Sequence, residues 1–336
     1  MKTIVCEQPL HLAVHDRPMP LRGPGEVLVR IRRVGVCGTD YHIFGGNQPY
    51  LNYPRVMGHE LAGTVEEADA DAALVPGDVV TILPYLSCGK CVACQRGKPN
   101  CCTRLEVLGV HRDGGMAEYF SVPRAAVIPV NDLSLDQAAM VEFLAIGAHA
   151  VRRAGVMADA RTLVVGAGPI GVATALFARH EGARVTLADT DADRLGQARR
   201  LTDIADTVLV DDAIADVLAS RTDGEFFDVV FDATGNARAI ETGFAYVAHG
   251  GTYVLVSIVK AQIAFSDPEF HKREMTLMGS RNATAEDFRH VIASIRAGHI
   301  PTSAMHTQSF PLVEAAAYFP RLIAGQGSVL KAIATW

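Results

Sequence analysis

The chain has 336 residues, 49% of them hydrophobic and 20% charged, which is enough apolar mass for two folded domains and unlike the composition of a disordered chain. Its net charge of −6 comes with Lys and Arg scattered rather than grouped, which argues against nucleic acid or an anionic membrane as the main partner. The N-terminal residues run at once into Glu7, His11 and His15, so no signal-peptide core forms and a cytoplasmic protein with reduced thiols is expected.

Residues 1 to about 146 are rich in Gly, Pro, His and short alternating runs such as Glu26-Val-Leu-Val-Arg-Ile31, the texture of a β-rich domain. Within them, Cys37-Gly-Thr39-Asp40-Tyr-His42 sets a thiol, a hydroxyl, a carboxylate and an imidazole close together, and Gly58-His59-Glu60 adds a second imidazole and carboxylate. Singly, a buried Cys or a loop His is more often structural than catalytic. All seven cysteines precede residue 103, and four of them form a C-x2-C-x2-C-x7-C comb: Cys88, Cys91, Cys94 and Cys102. Four thiolates saturate a tetrahedral zinc ion, so such a site ties down a loop and leaves no position for a substrate. The rival is the iron–sulfur centre of an electron carrier, whose motif closes with three intervening residues and a Cys-Pro; here Thr103 follows Cys102. Any other metal site that draws on the rest of the chain must find nitrogen or oxygen ligands there.

Ser134 and Gln137 form a capping box ahead of an apolar helical run, Ala138 to Val151, interrupted by Glu142 and His149. An ionised Glu in such a helix is costly unless a cation or donor meets it. From about 147 to 280, short apolar strands at Leu163, Val185, Val208, Phe227 and Thr252 alternate with helical segments, as in βαβ units around a parallel sheet. Gly166-Ala-Gly168-Pro169-Ile170-Gly171 follows the first strand and heads a helix, where bare backbone amides can receive a pyrophosphate. The uncharged stretch Thr162 to Ala178 therefore divides into strand, turn and helix and is not a membrane span. Asp189 ends the second strand, placed to accept hydrogen bonds from adenosine ribose hydroxyls. With Asp191 close by, a 2′-phosphate would meet two carboxylates, so NAD is expected over NADP, with Arg194 flanking the adenosine. Beyond 281 come two helical patterns and a short terminal strand from Val329 to Ala334.

In order and spacing these motifs, together with Gly58-His59-Glu60-Leu-Ala-Gly63 and Asp232-Ala-Thr234-Gly235, resemble the zinc-dependent medium-chain dehydrogenases over essentially the whole chain. The resemblance implies an α/β protein in which a GroES-like β-rich catalytic domain, residues 1–146 and 281–336 with a structural zinc lobe near 85–105, carries an inserted Rossmann doubly wound parallel sheet, residues 147–280. It implies two zinc ions per chain, one catalytic and one structural, NAD as cofactor, and a homodimer or homotetramer. Cys37 and His59 correspond to catalytic zinc ligands, and Glu142 stands where the polyol and threonine dehydrogenase branch uses Glu, although Phe143 replaces the Pro often found next. Glu60 either binds that zinc directly in some states or sits just behind it. By the same resemblance Thr39 takes the substrate proton and passes it through the cofactor ribose to His42, Asp40 orients His59, and Thr234, Ser257 and Lys331 contact the cofactor, Lys331 at its pyrophosphate.

Three segments, Phe44–Tyr50, Gly109–Gly115 and Phe265–Glu274 running on to Asn282, look similar to the sugar-acid 5-dehydrogenases that act on L-galactonate or L-gulonate. A hexonate needs a positive group for its carboxylate and polar side chains for its hydroxyls. Candidates for the first are His111, Arg112, Lys260 and Arg281; for the second, Asn47, Gln48 and Asn282. A neutral polyol dehydrogenase and an L-threonine dehydrogenase share the same catalytic core and remain alternatives, as does a non-catalytic zinc-stabilised binding protein.

Overall fold

The structure is a computed structural model that describes residues 1–48, 51–325 and 329–336; Pro49 and Tyr50 of the segment Phe44–Tyr50 lie outside the described residues. The chain divides into two compact units: Met1–Glu142 with Ala283–Gly298 and Thr302–Trp336, and Phe143–Asn282 with His299–Pro301. Among the described residues no helix is long and apolar enough to cross a membrane.

The first unit is organised by the strand Glu26–Val36, whose apolar residues Val27, Val29, Ile31 and Val34 are fully buried. It is long enough to pair with three neighbours, all antiparallel: Tyr119–Pro123, Glu60–Glu67 and Lys331–Thr335. Register shifts along its pairing with Glu60–Glu67 bend the ladder as β-bulges do. Val79–Ile82, Val127–Pro129 and His306–Pro311 complete a seven-stranded sheet, and a three-stranded sheet of Lys2–Gln8, His11–Asp16 and Arg55–Val56 shares its core. Each fully buried Val, Leu, Ile or Phe in that core contributes about 1.5–3 kcal/mol. The register also places the chemistry. Gly35 lies opposite Glu60 and Val36 opposite Ala332, so Cys37, His59, Glu60 and Lys331 arrive at one end of three adjacent strands.

In the second unit six strands run parallel in the order Thr207–Leu209, Arg184–Asp189, Arg161–Val165, Phe227–Asp232, Val247–Leu255, Thr276–Gly279. The central ones are buried continuously, as at Leu163-Val164 and Val230-Phe231, because helices cover both faces of such a sheet. Strand order reverses between Arg161–Val165 and Phe227–Asp232, the switch point where a doubly wound sheet opens a crevice at its carboxyl ends. The capping box is present, with Ser134 N–H donating to Gln137 Oε1 at 2.9 Å and Gln137 N–H to Ser134 Oγ at 3.2 Å. It opens the helix Leu135–Ala154, and the unit boundary falls inside that helix, after Glu142. The strand His306–Pro311 has no counterpart in the sequence reading; its polar, largely exposed pattern carries little apolar signal, and pairing with Lys331–Thr335 forms it.

Candidate functional site

Cys37 is the N-cap of the short helix Gly38–Phe44. Its Sγ accepts from the Thr39 amide at 3.2 Å, while Asp40 Oδ2 accepts from the Cys37 amide at 3.0 Å, a reciprocal box that fixes the thiol's direction. His59 Nε2 lies 3.1 Å from Cys37 Sγ, and on the far side of the ring His59 Nδ1 lies 3.8 Å from the buried Asp40 Oδ1. Metal-ligating imidazoles are oriented in this way, one nitrogen toward the ligand cluster and the other toward a carboxylate. Ligand atoms of His59, Glu60 and Glu142 lie within 4.8 Å of one another, and so do those of Cys37, Asp40 and His59; all belong to the first unit.

The electrostatics of this cluster call for a cation. Burial opposes charge on His59, yet the negative charges of Cys37 and Asp40 overcome it and hold its pKa well above the ordinary imidazole value. Burial pushes the Glu142 carboxyl up to about 7 in spite of His59 beside it. Glu60 is fully buried, with one carboxylate oxygen ion-paired to Lys331 and Oε1 lacking a hydrogen-bond partner among the described residues. A buried, unmatched carboxylate oxygen next to an imidazole and a second carboxylate, with a thiol on the same imidazole, is a donor set that suits a zinc ion. Glu142 Oε1 accepts from the hydroxyl of Tyr85, a buried phenol that the sequence reading passed over. Burial, followed by the charge of Glu142, raises the pKa of that phenol, so it stays a donor.

Lys331, which the resemblance sets at the pyrophosphate, opens the last strand of the first unit. The strand Lys331–Thr335 buries it in the first unit, where its ammonium pairs with Glu60 and donates to the Val36 carbonyl at 3.2 Å. Thr39 is half-buried and His42 exposed, three residues apart on one helix face.

Cys88, Cys91, Cys94 and Cys102 converge with their ligand atoms within 4.8 Å, at 3.5 Å between Cys91 and Cys94 and 3.8 Å between Cys91 and Cys102. The Cys94 backbone amide, and then that of Thr103, holds the Cys91 thiol down at about 5. The Arg104 amide donates to Cys102 Sγ at 3.4 Å and its guanidinium to Cys88 Sγ at 3.5 Å, the outer shell that a charged thiolate cluster requires. Cys101 is exposed and outside the cluster.

At the switch point of the second unit, Gly166 takes φ +104°, and a Cβ on Gly171 would overlap the Gly166 carbonyl oxygen, so both glycines are needed to fold the turn tightly under the helix Pro169–His180. Gly168 caps that helix without a side-chain partner, leaving its amides for an anion. Asp189 Oδ2 accepts from the Ala167 amide at 2.6 Å and Oδ1 from the Asp191 amide at 2.8 Å, which ties this carboxylate to the glycine turn. Arg194 is ion-paired with Asp191 at 3.8 Å. Across the crevice Thr234 and Ser257 both donate to Asp232, at 2.9 and 3.2 Å.

Of the substrate candidates, Asn47, Gln48, His111 and Arg112 belong to the first unit, and Lys260, Arg281 and Asn282 to the second. Arg112 is paired on the surface with Glu106 at 3.3 Å, and His111 Nδ1 accepts from the Val107 amide at 3.1 Å, so both have work within the fold. Lys260 and Arg281 are exposed, and Asn282 adopts a left-handed φ of +53°.

Residues 23–132 match the alcohol dehydrogenase GroES-like domain, and residues 169–297 match the zinc-binding dehydrogenase domain. The chain is 42% identical to L-galactonate-5-dehydrogenase of Escherichia coli K12, over 100% of this chain and 99% of that protein. Among solved structures, the alcohol dehydrogenase RspB of E. coli CFT073 in complex with NADH superposes with a TM-score of 0.94 at 28% identity, covering 100% of this chain and 99% of that one. A zinc-binding dehydrogenase from Sinorhizobium meliloti bound to NADP superposes at 0.89 with 29% identity, again over 100% and 99%.

Proposed function

The chain belongs to the zinc-containing, NAD(P)-dependent alcohol dehydrogenases, and from that premise we propose that it oxidises a secondary alcohol of a hexonate, L-galactonate to D-tagaturonate or L-gulonate to D-fructuronate, with NAD. The observation that carries the chemistry is His59 shared between two ligand groups, Cys37 and Asp40 in one and Glu60 and Glu142 in the other, each with ligand atoms within 4.8 Å. Similarity along its whole length to an L-galactonate-5-dehydrogenase supports the substrate class.

A zinc ion held by Cys37, His59 and Glu142 would supply Lewis-acid polarisation that lowers the pKa of the substrate hydroxyl, and NAD would take up the hydride. The rest falls to the chain's own side chains. Thr39 receives the hydroxyl proton, and His42, exposed three residues on, returns it to solvent. Asp40, with Oδ1 3.8 Å from His59 Nδ1, draws that side of the ring toward itself and leaves Nε2 facing Cys37. Asp189 accepts from the ribose hydroxyls. Arg194 pairs with Asp191 at 3.8 Å, and the carboxylates of Asp189 and Asp191 would repel a 2′-phosphate, which favours NAD over NADP. We take the enzyme to act in the cytoplasm as a homodimer or homotetramer, with a second, structural zinc on the four cysteines.

The test is NADH formation over a panel of hexonates, polyols and L-threonine. The highest kcat/KM is expected for L-galactonate or L-gulonate. Turnover of sorbitol or L-threonine with far higher kcat/KM would overturn the sugar-acid assignment.

A further inference from the structure

We propose that Tyr85 is a positioning residue for the catalytic metal: its phenol holds one oxygen of Glu142, so that the other oxygen is the one presented to the ion. The inference rests on the reading of the Cys37 cluster as a zinc site. The terminal torsion of a Glu side chain is broad, so a carboxylate with no fixed donor can rotate or offer both oxygens. Tyr85 removes that freedom, because its hydroxyl donates to Glu142 Oε1 within the protein interior.

The two carboxylates of the cluster are also treated differently. Glu60 faces an ammonium, Lys331, which offsets its charge. Glu142 takes its hydrogen bond from a neutral phenol, which orients the carboxylate without adding a positive charge. The pairing thus selects Glu142 over Glu60 as the anionic ligand. One committed oxygen favours single-atom ligation of a bound ion.

Tyr85 is itself anchored by the cysteine lobe. The strand Tyr85–Leu86 pairs with Glu106–Val107, and this two-stranded neck lies just inside Cys88 and Cys102, whose shared cluster closes the loop. The lobe therefore acts at a distance from its own metal, by holding a hydroxyl against Glu142.

The experiment compares Tyr85→Phe and Glu142→Ala in the full-length, zinc-loaded enzyme, with NADH binding identifying the folded fraction. Chelator competition reads zinc affinity, and the visible spectrum of the cobalt-substituted enzyme reads the ligand field. For Tyr85→Phe we expect zinc affinity at the catalytic site to fall about 10- to 100-fold, the cobalt bands to shift, and kcat to fall more than KM changes. Glu142→Ala should lose the catalytic metal. If Glu142→Ala loses the metal while Tyr85→Phe keeps wild-type affinity and spectrum, Tyr85 only packs and the positioning role is overturned, with the zinc site intact. If Glu142→Ala itself binds zinc as the wild type does, the assignment of Glu142 as a ligand fails, and the role of Tyr85 with it.

Discussion

Lys331 and Glu60 form an ion pair with essentially no exposure on either side, 1% and 0%. Removing one partner of such a pair strands the other as a buried charge, which typically costs about 3–5 kcal/mol. Lys331→Met, which keeps the stem and deletes the ammonium, should lower the unfolding free energy by about that amount in denaturant titration; a loss under about 1 kcal/mol would show that Glu60 has another means of compensation. Legibility in the sequence differs sharply among residues of this one cluster. Cys37, Asp40, His59 and Glu60 fall in two short motifs whose order and spacing carry the family resemblance, though singly each residue type says little. Tyr85 has no such context, since a tyrosine between Pro84 and Leu86 reads as core. The basic character of Lys331 was visible, but its partner was not, because only the pairing of Lys331–Thr335 with Glu26–Val36, and of that strand with Glu60–Glu67, brings ammonium and carboxylate together.

Among the elements, the glycine-rich turn is the most exacting. Gly171 lies so close to the Gly166 carbonyl that a methyl group there must push the turn away from the helix N-terminus. Gly171→Ala should therefore destabilise the second unit by about 1–3 kcal/mol, as overpacking does, and weaken NADH binding at least about tenfold, while leaving the zinc content unchanged. Calorimetry and fluorescence titration of NADH check both; unchanged NADH affinity would mean that the pyrophosphate does not sit on this turn. The turn was readable because strand, glycines and helix are contiguous in the sequence. The parallel strands were readable for a similar reason, as short apolar runs spaced by helices. His306–Pro311 was not, because a strand of His, Thr, Gln and Ser with only Phe310 buried owes its form to a neighbour more than to its own pattern.

For the whole molecule, discontinuity is the organising fact. The first unit takes its closing strands from the far end of the chain, and the second is built from the stretch between. This arrangement keeps the thiol–imidazole–carboxylate cluster within one unit and the dinucleotide crevice within the other, so loss of either function should leave the other measurable. The separation gives the most direct test of the account, which is hexonate oxidation by Cys37→Ala alongside its NADH affinity. Deleting a ligand of the Lewis acid should cut kcat/KM for L-galactonate or L-gulonate by about a thousandfold, with NADH binding and the four-cysteine zinc unchanged. Wild-type turnover by this variant would contradict the claim that oxidation takes place at a metal held by Cys37.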